Sequence, residues 1–136
     1  MILKITDFYV GQSYEMRKAF SSEEVARFAA LTLDDNPLHL DEAFASKSVF
    51  GQKIVHGYLS SSLFSAIIGT KMPGQGAVYL KQDLNFRKPV FHDEEIRAVV
   101  SVEEINVEKS VLRLSTVCYN AKNEVVIDGM AVVKIL

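Results

Sequence analysis

The stretch Asp34-Asp35-Asn36-Pro37-Leu38-His39 puts a carboxylate and an imidazole five residues apart across a proline. In a continuous helix that spacing would splay the two by about 140°. Pro37 disfavours helical geometry at Asn36, so a bend there can turn both side chains into one cleft. A carboxylate and an imidazole around one water make a general acid–base pair. The same residues also have a structural reading. Asp34 ends a helix, Asn36-Pro37 makes a turn, and His39 is a satisfied surface residue. Spacing alone leaves both readings open.

The remaining chemistry-bearing residues point to less. Asp35 reads as solvent-facing. His56 adjoins an apolar segment and reads as a structural hydrogen-bonding group. His92, beside Asp93-Glu94-Glu95, reads as an exposed turn leading into a strand. Asp34, His39 and His56 show no recognised metal-ligand spacing, so neither a metal nor a cofactor is expected. Cys118 falls on the apolar side of a strand pattern and reads as inert core, not a nucleophile. No glycine-rich phosphate loop is present.

Local pattern predicts the elements that hold these residues. A turn at Gly11-Gln12 leads into a short strand. Ser21 and Glu24 fit a capping box, and Val25, Phe28, Ala29 and Thr32 follow at helical spacing. That helix should stop near Asp34. Asp41 can cap a short second helix through Ala43, Phe44 and Ala45. From Gly57 to Gly69 nearly every residue is small or apolar, the mark of a buried helix. Its serines suit burial if their hydroxyls bond back to the backbone or to a ligand.

Beyond Pro73-Gly74 the period changes to two. Val78, Leu80, Leu84 and Phe86 make one half-buried strand. Ile96, Ala98, Val100 and Val102 make the next, and Leu112, Leu114, Thr116 and Cys118 a third. Glu124 to Leu136 is a fourth, entered by a hairpin turn at residues 120–123. Four successive strands predict an antiparallel meander with the apolar helix on its greasy face. The fold class is therefore α+β, a curved antiparallel sheet wrapped around a central helix.

Composition bounds the rest. A length of 136 residues suits one domain spanning 1–136. With 49% hydrophobic and 24% charged residues the chain is neither disordered nor low-complexity. A formal net charge of −2 argues against a nucleic-acid binder. No apolar run approaches the roughly 18 residues of a membrane span, and MILKITDFYV does not read as a signal peptide. One cysteine excludes an intrachain disulfide and points to a reducing compartment. A chain of this size leaves much surface exposed, so a dimer is in keeping.

The stretch Phe28-Ala29-Ala30-Leu31-Thr32-Leu33-Asp34-Asp35-Asn36-Pro37-Leu38-His39, followed by Ala45, resembles the signature of the MaoC-like (R)-specific enoyl-CoA hydratases and 3-hydroxyacyl-thioester dehydratases. Leu33 stands where that family usually has glycine, a departure that bears on local backbone shape. Ile54-Val55-His56-Gly57, running into Leu63-Phe64-Ser65, is similar to the family's entry into its central helix. The similarity continues through Lys71-Met72-Pro73-Gly74 and Leu84-Asn85-Phe86-Arg87-Lys88-Pro89-Val90. It covers nearly the whole chain.

The resemblance implies a hotdog fold, a homodimer, and hydration of trans-2-enoyl thioesters to (R)-3-hydroxyacyl thioesters. It implies Asp34 and His39 as the catalytic pair and Asn36 as support for the site loop. It also implies an oxyanion role for Gly57, and Ser65, Ile68 and Val133 as bounds of an acyl tunnel. The substrate would be an acyl-CoA or acyl-carrier-protein thioester. The setting would be the cytoplasm, or an organelle matrix for a eukaryotic chain. Lys71, Lys81, Arg87 and Lys88 are candidates to meet carrier phosphates, although such residues on strand edges are commonly just solvated. Three alternatives stand beside hydration. They are 3-hydroxyacyl-carrier-protein dehydration through the same site, a hotdog thioesterase, and a non-enzymatic acyl-thioester-binding module.

Overall fold

A computed structural model describes residues 2–136. The chain runs through Ser13–Ala19 (β1), Ser22–Thr32 (α1), Pro37–Leu40 (α2), Glu42–Ser46 (α3), Gly57–Thr70 (α4), Ala77–Gln82 (β2), Asn85–Phe86 (β3), Glu95–Asn106 (β4), Val111–Tyr119 (β5) and Val125–Ile135 (β6). The strands form one antiparallel sheet in the order β1-β4-β5-β6-β2, with β3 also paired to β6. Period-two alternation decides which face turns inward. Ile96, Ala98, Val100 and Val102 of β4, with Leu112, Leu114, Thr116 and Cys118 of β5, are all buried. Helix α4 lies on that face and contacts β1, β2, β4 and β5. Its Leu63, Phe64, Ile67 and Ile68 are buried there. Each side chain of this size contributes about 1.5–3 kcal/mol by leaving water. Burial pushes the Cys118 thiol up to about 12, so it is an inert part of this core.

The expected α+β class holds, but five details differ. The meander covers only β4, β5 and β6, whereas β2 crosses to the far edge and pairs with β6. The predicted single strand from Val78 to Phe86 is two, broken at Asp83-Leu84. There the Asp83 backbone lies directly over Gly129 of β6, where a Cβ would meet the Asp83 carbonyl oxygen at 1.9 Å. Alternation in this region does not sort core from solvent. Val78, Leu80 and Phe86 are all exposed; β2 is an edge strand with a bulge between Tyr79 and Lys81, and Phe86 lies on the two-residue β3. Helix α4 is not buried all round, and Tyr58, Ser62, Ser65 and Gly69 are exposed. His92 is half-buried, with Nδ1 2.8 Å from Ser22 Oγ.

The connection from α1 to α2 sets the site. The capping box forms as expected, with Glu24 N–H donating to Ser21 Oγ (3.2 Å) and Ser21 N–H to Glu24 Oε1 (3.0 Å). The helix ends at Leu33, whose φ of 69° is left-handed. That conformation explains why glycine is the usual residue here. Leu33 is 86% exposed, so its side chain gains little burial in return. Leu33→Gly should therefore stabilise the fold. Relief of left-handed strain, about 1–2 kcal/mol, exceeds the about 0.5–1 kcal/mol entropic cost of glycine. Urea unfolding should show a net gain of about 0.5–1 kcal/mol. A lower unfolding midpoint with unchanged m would contradict this account of the turn.

Candidate active site

Beyond Leu33 the chain is held by short polar bonds. Thr32 Oγ1 donates to Phe28 O (2.7 Å) and accepts from Asp34 N–H (3.4 Å). Asp34 Oδ1 accepts from Asn36 N–H at 3.4 Å. Asn36 Oδ1 accepts from Leu38 N–H at 3.0 Å and so caps α2, with Pro37 at its first position. The bend expected at Asn36-Pro37 is thus the start of a one-turn helix, which presents His39 from its last turn.

His39 is oriented by the backbone. Its Nδ1 lies 2.9 Å from Ile54 O. A carbonyl only accepts, so Nδ1 carries the proton and Nε2 keeps a free lone pair. The His39 ring stacks on His56 with centroids 3.8 Å apart and planes inclined by 28°. Phe28 packs against His56 at 4.8 Å. His56 is in turn fixed by Nε2, which donates to Asp34 O at 3.0 Å. Burial holds the His56 ring below the ordinary imidazole range. The bond to the Asp34 carbonyl opposes that shift and the neighbouring His39 adds to it. His56 is therefore a neutral spacer tying the Asp34 backbone to the His39 ring, the structural role its setting suggested.

An Asp34 carboxylate oxygen and ring nitrogens of His39 and His56 lie within 4.8 Å of one another. Asp34 and His39 make no direct hydrogen bond among the described residues. Their separation fits one bridging water that donates one hydrogen to the carboxylate and the other to the free imidazole nitrogen. The three groups could be counted as metal ligands. The two rings, however, are stacked nearly face to face, which does not converge two lone pairs on one ion. Asp35 is exposed.

Next to this pair α4 begins at Gly57, with His56 as N-cap and no side-chain cap. The N–H groups of Gly57 and Tyr58 donate to no protein acceptor among the described residues. Such free donors at a helix start favour a partial negative charge. A Cβ on Gly57 would lie 2.5 Å from two ring carbons of Phe86. The close approach that glycine permits here is first of all that of the Phe86 ring. Around this corner lies a cavity of about 360 Å³, lined mainly by Phe50, Ile54, Val55, Phe86, Val90 and Ile127, with Gly57, Tyr58 and Ser60 along its helix wall.

The other expected residues fall elsewhere. Ser65 is exposed on the free side of α4, while Ile68 and Val133 are buried between α4 and the sheet. None of these lines the cavity. Arg87 and Lys88 do stand on its rim, but each is already paired, Arg87 Nε to Asp128 Oδ2 (2.6 Å) and Lys88 Nζ to Glu124 Oε2 (2.5 Å). Lys71 and Lys81 are exposed and do not line the cavity. Sequence reasoning did not find Phe86 or Ser60 as site residues. Phe86 was concealed by its strand alternation. Ser60 had a signal in the run Ser60-Ser61-Ser62 inside an apolar helix.

The chain is 44% identical over 126 residues, 93% of its length and 94% of the relative's, to the (R)-specific enoyl-CoA hydratase of Aeromonas caviae. It is 41% identical over 125 residues, 90% of this chain and 74% of the relative, to a mitochondrial 3-hydroxyacyl-[acyl-carrier-protein] dehydratase of Arabidopsis thaliana. The solved (R)-hydratase from A. caviae involved in PHA biosynthesis superimposes with a TM-score of 0.93 at 43% identity, covering 95% of this chain and 98% of that one. The sheet and central helix are those of the hotdog hydratases. The family profile described as MaoC like domain matches residues 7–125, and with that match and these relatives the chain belongs to the MaoC-like family.

Proposed function

We propose that this chain is a hydro-lyase that adds water to trans-2-enoyl thioesters, giving (R)-3-hydroxyacyl thioesters, and that residues 1–136 act as one hydratase domain. The observation that carries this is an Asp34 carboxylate oxygen and a His39 ring nitrogen within 4.8 Å of each other, beside the N–H groups that open α4 and donate to no acceptor among the described residues. Asp34 and His39 polarise the water. Its oxygen bonds to C3, and the C2=C3 electron pair shifts onto C2 and the thioester oxygen. The proton released from water is held by the pair and delivered to C2, so one water is added with no charge left over. The developing negative charge on the thioester oxygen is met by the Gly57 end of α4. Asn36 supports the loop by capping α2. Loss of enoyl absorbance on adding crotonyl-CoA to the purified protein tests the activity.

The reverse reaction on a carrier-protein thioester is the second reading, favoured by the likeness to the plant dehydratase. Both carriers present the same pantetheine arm. The rim cations Arg87 and Lys88 are neutralised by their own partners, so they do not choose between carriers. Relative kcat/KM for matched enoyl-CoA and enoyl-carrier-protein substrates makes the choice. A reducing compartment such as the cytoplasm suits a chain whose one cysteine is a buried thiol. No helix of the described residues is long and apolar enough to cross a membrane.

A homodimer completes the site in this reading. Among the described residues the outer edge of β2 is unpaired, and it carries Val78, Tyr79 and Leu80, the last 56% exposed. Unprotected apolar edges of this kind pair with another strand. The free side of α4, including Ser65, needs the same cover. Light scattering should give the mass of two chains at micromolar concentration. A monomer with full activity would refute the dimer.

By the resemblance, the acyl chain runs along α4 toward Ile68 and Val133, which requires a path beyond the cavity of the single chain. A wall of this kind discriminates by about 1–3 kcal/mol per methylene. Ile68→Ala should shift relative kcat/KM across C4, C6, C8 and C12 enoyl-CoA toward the longer chains, while costing about 2–4 kcal/mol of stability from a core position. An unchanged length profile in a folded, active variant would remove Ile68 from the acyl path.

A further inference from the structure

Five hydroxyl-bearing residues lie within α4 after Tyr58, and they are not alike. Ser61 Oγ donates to Tyr58 O at 3.2 Å, Ser62 Oγ to Leu59 O at 2.5 Å and Thr70 Oγ1 to Ala66 O at 2.6 Å. These are the ordinary back-bonds of hydroxyls in a helix. Ser65 is exposed to solvent. Ser60 differs from all of them, since it is 1% exposed and its Oγ is buried with no partner among the described residues. Ser61 and Ser62 bond to the carbonyl three residues back, but Ser60 Oγ makes no such bond to Gly57 O. A buried hydroxyl with nothing to bond is costly.

Ser60 lines the same cavity as Gly57. Helical Cα–Cβ bonds tilt toward the helix N-terminus, so the Ser60 side chain leans toward the turn where the Gly57 and Tyr58 N–H groups are free. We infer that the Ser60 hydroxyl is a further donor to the thioester carbonyl oxygen, acting with those two N–H groups. The inference rests on the hydratase reading above and adds a residue to it. The orphan hydroxyl is a group held ready for a ligand oxygen, with no part in holding the fold.

The test compares Ser60→Ala with wild type in crotonyl-CoA hydration and in thermal unfolding without ligand. A donor to developing charge acts in the transition state, so kcat should fall at least about 10-fold. KM should stay within about threefold. Tm should hold or rise, because the variant removes an unsatisfied group. If kcat stays within about twofold of wild type, Ser60 does not touch the reacting oxygen and the inference fails while the hydratase reading stands. A fall in Tm with kcat per folded molecule unchanged would likewise overturn it, assigning the hydroxyl to the fold. A wild-type protein inactive on every enoyl thioester would overturn the hydratase reading and this donor with it.

Discussion

Asp34→Asn and His39→Ala should each lower kcat/KM for crotonyl-CoA hydration by at least about 100-fold, the low end for losing a positioned acid–base group. The two variants should differ in stability. Asp34 is exposed, and an asparagine retains an Oδ1 to accept the Asn36 N–H, so its unfolding midpoint should barely move. His39 is buried, stacked on His56 and bonded to Ile54 O. Its removal leaves that carbonyl unpaired and empties half of the stack, at a cost of about 1–3 kcal/mol. Kinetics at a temperature where both variants are folded separates the losses. The double variant should be little worse than either single one, because residues acting on one water as a unit are not additive. Near-wild-type turnover in both single variants would remove the proposed chemistry.

Gly57→Ala is the second large effect. The new Cβ would sit 2.5 Å from Phe86 Cδ1 and Cε1, closer than carbon atoms pack, so the ring must swing. Phe86 is 51% exposed and lines the cavity beside the free α4 donors, so it has room to move but moves within the substrate's space. Misplacing a reacting group by about an ångström can cost about 100-fold. We expect kcat/KM to fall at least about 10-fold, with stability lower by only about 1 kcal/mol, since overpacking is partly offset by the better helix propensity of alanine. Combining Gly57→Ala with Phe86→Ala removes the clash and should recover part of the lost rate. No recovery would mean that the methyl group itself bars the thioester, independently of the ring.

The two predictions draw on features of unequal legibility. The Ser21–Glu24 box, the Asp41 cap and the Gly57 helix start were readable because capping and periodicity are local. The inward set on β4 and β5 was readable because alternation is local too. The far-edge position of β2 was not, since strand order depends on contacts distant in sequence. Nor was the break at Asp83, which depends on the bare Gly129 opposite it. At the site, the Asp34–His39 spacing suggested chemistry without deciding geometry. What decides it is the left-handed Leu33, the one-turn α2 and the His56 ring that links the Asp34 carbonyl to the His39 face. Ser60 illustrates the same limit. A serine inside an apolar helix is visible in the sequence, but whether its hydroxyl has a partner is settled only by the acceptors around it.

The central claim is that one water, held between Asp34 and His39, is added to the enoyl thioester on a single face. The most direct measurement mixes the purified protein with crotonyl-CoA, follows the enoyl absorbance, and determines the chirality of the 3-hydroxybutyryl product, with Asp34→Asn run in parallel. The account predicts a catalytic loss of absorbance, a product of R configuration, and at least about 100-fold less of both in the variant. Hydrolysis to free CoA with the double bond intact, an S product, or equal rates from wild type and variant would contradict it.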